Sequence, residues 1–64
     1  HMRQEQKCEY RGLAYMMEEI SGQFRFHIPY RNFTSVWYNG ANSEDLTPEQ
    51  AAHKAARWLI DCYI

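Results

Sequence analysis

The sequence predicts an α+β domain in the order helix–strand–strand–helix: an antiparallel β-hairpin covered on one face by two helices. Three observations predict it. Apolar residues recur with a helical period over residues 3–21. Residues 23–28 then alternate polar and apolar without a fault, and residues 33–38 are rich in aromatic and β-branched types. Finally, Thr47-Pro48-Glu49-Gln50 has the composition of a helix start.

The first helix is expected over residues 3–21. At about 100° per residue, Met16, Ile20, Leu13, Met17 and Tyr10 share roughly a third of the circumference, with Arg11, Glu18 and Lys7 opposite. Gly12 weakens its middle by up to ~1 kcal/mol relative to Ala, and Ser21-Gly22 supplies its end. Arg3 and Lys7 at the start and Glu18 and Glu19 at the finish oppose the helix dipole. Antiparallel packing against the second helix would resolve this by setting Asp61 near Arg3 and Lys7.

The hairpin pairs strand 23–28 with strand 33–38 across Pro29-Tyr30-Arg31-Asn32. An even-length connection sets Ile28 opposite Phe33, Phe26 opposite Ser35 and Phe24 opposite Trp37. Those five apolar residues then share the core face, leaving Arg25, His27, Thr34, Val36 and Tyr38 on the other. Asn39 to Asp45 reads as loop. The second helix covers residues 47–63: Thr47 caps it, Pro48 takes the first position and Gln50 completes a capping box. Its expected core face is Ala52, Ala55, Ala56, Leu59, Cys62 and Tyr63. The ten aromatics divide accordingly. Tyr10, Phe24, Phe26, Phe33, Trp37 and Tyr63 are expected inside, and Tyr15, Tyr30, Tyr38 and Trp58 outside.

Sixty-four residues allow one domain, residues 1–64, and exclude a multidomain enzyme. Seven basic and eight acidic side chains give a net charge of −1, which excludes a highly charged nucleic-acid wrapper. Apolar residues at 45% suit a folded domain better than a disordered tail. No apolar run approaches the roughly 20 residues a spanning helix needs, so no membrane partner is expected. His1 ahead of Met2 reads as a cloning scar, which leaves 63 of the 64 residues to the natural chain. Cys8 and Cys62 do not form a disulfide framework, and a reduced cytoplasmic setting is the default.

No catalytic, cofactor or metal site is expected. There is no CxxC or HxxxH pair, His27 and His53 stand alone, and Ser35 belongs to no nucleophile motif. Glu49 and His53, four apart, read as a surface pair. The candidates that remain are partner-binding residues. Arg25, His27, Tyr30, Arg31 and Tyr38 would mix cations and aromatics on the wet face of the hairpin. That mixture can stack on bases and meet phosphates, but the net charge lacks the excess of Lys and Arg that phosphate binding draws on. A protein partner is therefore favoured over nucleic acid. Tyr15, with Cys8 on the back of the first helix, and Trp58 at the edge of the second are surplus apolar groups. They either form a second contact surface, such as a homodimer, or wrap the hairpin edges; the sequence leaves both open.

The run from Arg3 to Ile20, RQEQKCEYRGLAYMMEEI, and the ending from Ala55 to Ile64, AARWLIDCYI, resemble the small 63-residue early protein of the exo–xis region of lambdoid bacteriophages. The resemblance spans the whole chain from Met2 and contains no mechanistic motif. It implies an early, non-structural accessory protein in the cytoplasm of the bacterial host, and the residues themselves give no reason to expect an enzyme. Its partner would be a host or phage protein, and its effect would fall on host physiology or the lysis–lysogeny decision.

Overall fold

The computed structural model describes residues 4–39 and 45–64. Four strands, β1 (Gln4–Tyr10), β2 (Leu13–Ile20), β3 (Gln23–Ile28) and β4 (Phe33–Thr34), form one antiparallel sheet in sequence order. One helix, α1 (Pro48–Tyr63), follows. It lies across β3 and, to a smaller extent, β2. The result is a slab of 29 × 26 × 15 Å: one helix on one face of a sheet, nothing described on the other.

The expected helix over residues 3–21 is instead a β-hairpin, so the two-helix architecture is corrected to a four-stranded sheet with one helix. The reason lies in two dipeptides. Arg11-Gly12 and Ser21-Gly22 both have positive φ, 53° then 80° in each case. Two-residue loops with both φ positive twist the way the flanking strands do. They therefore close β1 on β2 and β2 on β3, with Tyr10 opposite Leu13 and Ile20 opposite Gln23. Glycine at the second position relieves the left-handed penalty. The second turn is held further by the amide of Gly22 donating to Oε2 of Glu19 at 2.7 Å.

Alternation then sorts every side chain. Tyr15 and Met17 of β2, and Phe26 and Ile28 of β3, point toward α1 and are buried. They meet Ala52, Ala56 and Ile60, with Cys8, Tyr10, Leu13, Phe24, Tyr38, Ala55 and Leu59 around them. Ala52 and Ala56 have no exposed surface, so the helix backbone sits close on β3. Its start is fixed by the Thr47 hydroxyl accepting from the Gln50 amide at 3.1 Å, while the Gln50 side chain accepts from the Thr47 amide at 3.0 Å.

Between β3 and the returning chain, Pro29–Arg31 form a 3-10 turn and Asn32 takes φ 50°, which sets Ile28 opposite Phe33. Ser35 still donates its amide to the Phe26 carbonyl at 2.9 Å. The expected pairing of Phe24 with Trp37 fails. Phe24 exchanges both backbone hydrogen bonds with Tyr38, so one extra residue is accommodated between Ser35 and Tyr38. That bulge turns Tyr38 into the core, stacked on Phe26, and leaves Trp37 on the opposite face beside Arg25.

Other expectations change with the topology. Tyr15, expected on the surface, is 2% exposed. Cys8 and Tyr15 are cross-strand neighbours on the helix side of the sheet, not a pair on a helix back. Phe33 and Tyr63, expected inside, are exposed at the end of the sheet, and Cys62 is exposed as well. Asp61 meets Arg11 and Tyr10 of the first hairpin. Arg3 and residues 40–44, expected as part of a loop, lie outside the described residues.

Candidate functional site

The sheet face turned away from α1 is the first candidate. Register places its side chains in rows across the strands. Glu9 lies beside Ala14. Lys7, Met16, His27 and Thr34 form the next row, and Glu5, Glu18 and Arg25 the one after, where Trp37 joins them. Ile20 and Gln23 end the face. Arg25 donates Nε to Oε1 of Glu18, and its guanidinium lies 4.4 Å from the centre of the Trp37 ring. His27 Nδ1 and Thr34 Oγ1 share a hydrogen bond at 2.8 Å. Met16, Ile20 and Trp37 are only half-buried, with no second layer described above them. Three acidic groups (Glu5, Glu9, Glu18) face two basic ones (Lys7, Arg25), so the charge of this face nearly cancels.

The second candidate is a groove of about 560 Å³ along α1, lined by Glu49, His53, Arg57, Trp58 and Asp61 among others. His53 of its lining reaches the buried Tyr15, whose hydroxyl is 2.8 Å from His53 Nδ1, with the rings edge to face. Cys8 lies on the same side of the neighbouring strand. Burial pushes the Cys8 thiol up, pushes the Tyr15 phenol up, and holds His53 below the usual imidazole range, where nearby Arg57 adds to the effect. All three shifts favour the neutral form. A nucleophilic thiol needs the opposite, a cationic setting that stabilises thiolate. Tyr15 and His53 are therefore a hydrogen-bonded tie between sheet and helix, and the Cys8 thiol beside them donates to the Gln6 carbonyl of its own strand. At the far end, the guanidinium of Arg11 binds Asp61 at 2.8 Å and holds that carboxyl below its ordinary range.

The candidate residues from the sequence do not form one site. Arg25 and His27 share the open face. Tyr30 and Arg31 sit on the 3-10 turn at the far end of the sheet, where Arg31 reaches the Tyr63 carbonyl at 3.5 Å. Tyr15 and Tyr38 are core. Trp58 is 54% exposed on the outer side of α1, edge to face with Tyr63 at 5.3 Å. Met16, Ile20 and Trp37, expected in the core, are the large apolar residues of the open face. The signal that could have found them is the Gly12 and Gly22 pair, ten residues apart, each preceded by a residue able to turn.

No protein-family model matches the chain, and no curated protein or solved structure matches it. Among the described residues no three His, Cys, Asp or Glu side chains gather as a metal site, and no helix is long and apolar enough to cross a membrane.

Proposed function

We propose that the chain is a non-enzymatic interaction module that binds a protein through the open face of its sheet. The observation that carries this reading is the half-buried apolar set Met16, Ile20 and Trp37, framed by charges that nearly cancel. Such a face is suited to a partner with apolar groups and a mixed polar rim. Trp and Arg side by side are the residue types that anchor protein contacts. Following the resemblance to the early exo–xis protein, the partner is a host or phage protein in the cytoplasm of an infected bacterium. The consequence is a change in host physiology or in the lysis–lysogeny decision.

The nucleic-acid alternative rests on a basic and aromatic stripe through Arg25, His27 and Arg31. Arg25 is neutralised by Glu18, and Arg31 lies at the other end of the fold beside the helix terminus. Without the stripe, little remains to release counterions from a phosphate backbone.

A photocrosslinker installed at position 16 tests the reading in lysate of phage-infected cells. One discrete protein adduct is expected, lost in a Trp37→Ala background and absent when the probe sits at position 54 on α1. An adduct indifferent to Trp37→Ala, or none, overturns the proposal. Tight binding to labelled DNA that weakens steeply with salt would favour the alternative.

A further inference from the structure

We propose that β1 is a self-pairing edge: two copies of the chain join their sheets through antiparallel β1 strands, centred on Cys8. This goes beyond the open-face reading and stands independently of it.

Strand order leaves β1 at one edge of the sheet and β4 at the other. The β4 edge is two residues long and followed by the bulge, so it offers no regular ladder. β1 is seven residues long and regular. The two-residue turn at Arg11-Gly12 makes Tyr10 and Leu13 a hydrogen-bonded pair. Alternation then directs the backbone groups of Gln6, Cys8 and Tyr10 toward β2 and those of Lys7 and Glu9 outward. An outward row of this kind is a template for another strand.

Charge suits a second copy as the partner, and charge together with the position of the turn selects the register. Sheets can continue with both helices on the same side only if residues of equal parity face each other. Pairing centred on Lys7 sets Lys7 against Lys7 and Glu5 against Glu9, like against like, which is unfavourable. Pairing centred on Gln6 also opposes Lys7 to an acid, Glu5, but it uses the start of β1, Gln4–Cys8, the half away from the turn. Pairing centred on Cys8 uses Gln6–Tyr10, the half of β1 beside the fixed turn. It sets Lys7 of each copy against Glu9 of the other, as hydrogen-bonded pairs with opposite charges. Edge lysines ordinarily discourage strand addition. Here Lys7 discourages the register centred on itself and is answered by Glu9 in the one centred on Cys8.

The register has a covalent signature. Cys8 faces Cys8 of the second copy as a non-hydrogen-bonded pair, for which Cα atoms lie about 4.5 Å apart, within reach of a disulfide. Centred on Gln6, the same sulfurs would be separated by four residues of strand, about 14 Å. Cys8 is half-buried and unbonded to another cysteine, and exposed Cys62 is removed from the test by Cys62→Ser.

Light scattering after gel filtration and diamide oxidation together test the proposal. The Cys62→Ser chain is expected to have the mass of two copies, dissociating on dilution. Diamide is expected to convert it to a Cys8–Cys8 dimer, the two thiols giving up two protons and two electrons to the diazene. Lys7→Glu and Glu9→Lys each turn two attractive contacts into repulsive ones, so each should weaken association about tenfold or more. The double variant Lys7→Glu/Glu9→Lys should restore it, and circular dichroism confirms that all three fold. A monomeric mass at every concentration overturns the proposal, as does a dimer indifferent to the single reversals. So does a dimer that diamide cannot lock through Cys8. Trp37→Ala should leave the mass unchanged, which separates failure here from failure of the open-face reading.

Discussion

Replacing Tyr15 by Phe separates one hydrogen bond from the ring that carries it. The ring is 2% exposed and packs among Met17, Phe26 and Ala56, so the variant keeps the core filled. What it loses is the bond of 2.8 Å to His53 Nδ1. A net hydrogen bond is worth about 0.5–1.5 kcal/mol. His53 borders the open groove, so water can reach the abandoned nitrogen and the cost should stay near ~1 kcal/mol. For a domain of this size that is a drop of about 4–8 °C in melting temperature. Tyr15→Ala also removes the ring and should cost about 3–5 kcal/mol. The bond further predicts a pH dependence. His53 shares this bond with the phenol, and burial holds its folded pKa below the ordinary 6.5. As pH falls, the unfolded chain therefore takes up the proton first. The stabilisation is complete above 6.5 and declines as pH falls from there toward the folded value. Thermal melts read by far-UV circular dichroism between about pH 8 and 5 measure both effects, with His53→Gln as the non-titrating control. The reasoning is refuted if Tyr15→Phe costs nothing at neutral pH. It is also refuted if His53→Gln loses stability on acidification as steeply as the parent.

Phe26→Ala should cost about 3–5 kcal/mol, against a total of about 3–10 kcal/mol for a chain of this length, whereas Phe33→Ala at the exposed end should cost about 1 kcal/mol. Urea titration of both variants shows the difference, and equal losses would contradict the packing described. Gly22→Ala should cost about 1–2 kcal/mol, although nothing lies within 4 Å of the added carbon, because φ is +80°; Gly22→Asn should recover part of that by the same melt. Thr47→Ala removes the hydroxyl that accepts from the Gln50 amide, leaving only the backbone half of the capping box, and should cost about 1 kcal/mol, measured as lost helical signal and a lower denaturation midpoint.

The legible parts of the chain were those where one local pattern admitted one structure. Residues 23–28 alternate because β3 has a core face and a wetter face, and Thr47 to Gln50 carry a cap whose chemistry is local. The first hairpin was hidden for a physical reason. β2 is apolar on both faces, with Leu13, Tyr15 and Met17 toward the helix and Ala14, Met16 and Ile20 toward the open side. That erases the contrast of period two, and the same residues satisfy a helical stripe. β1 is polar on both faces except at Tyr10 and Cys8, which erases it again. Gly12 then looks like a helix defect and Gly22 like a helix end, when both are turn residues. The bulge before Tyr38 carries no glycine and left no mark, yet it exchanges Trp37 and Tyr38 between the faces. Because the open face is assembled from β2 and from that bulge, the candidate site was less legible than the fold around it. The expected helix stripe misses Ala51 and Ile60, which are buried, and overruns at its end, where Cys62 and Tyr63 are exposed.

The central claim is that the sheet has one buried face and one open face, and adjacent methionines test it. Met17 is 3% exposed and points at α1, while Met16 lies on the other side between Lys7 and His27. Thermal melts of Met16→Asp and Met17→Asp compare the same substitution on the two faces. At Met17 an unpaired carboxylate is forced into the core at a cost of several kcal/mol, enough to unfold the chain. At Met16 it meets water and a lysine, and stability should change by less than about 1 kcal/mol. A folded Met16→Asp protein beside an unfolded Met17→Asp protein is the predicted result. Two variants that both fold, or that both unfold as a shared helical stripe would require, would contradict the account.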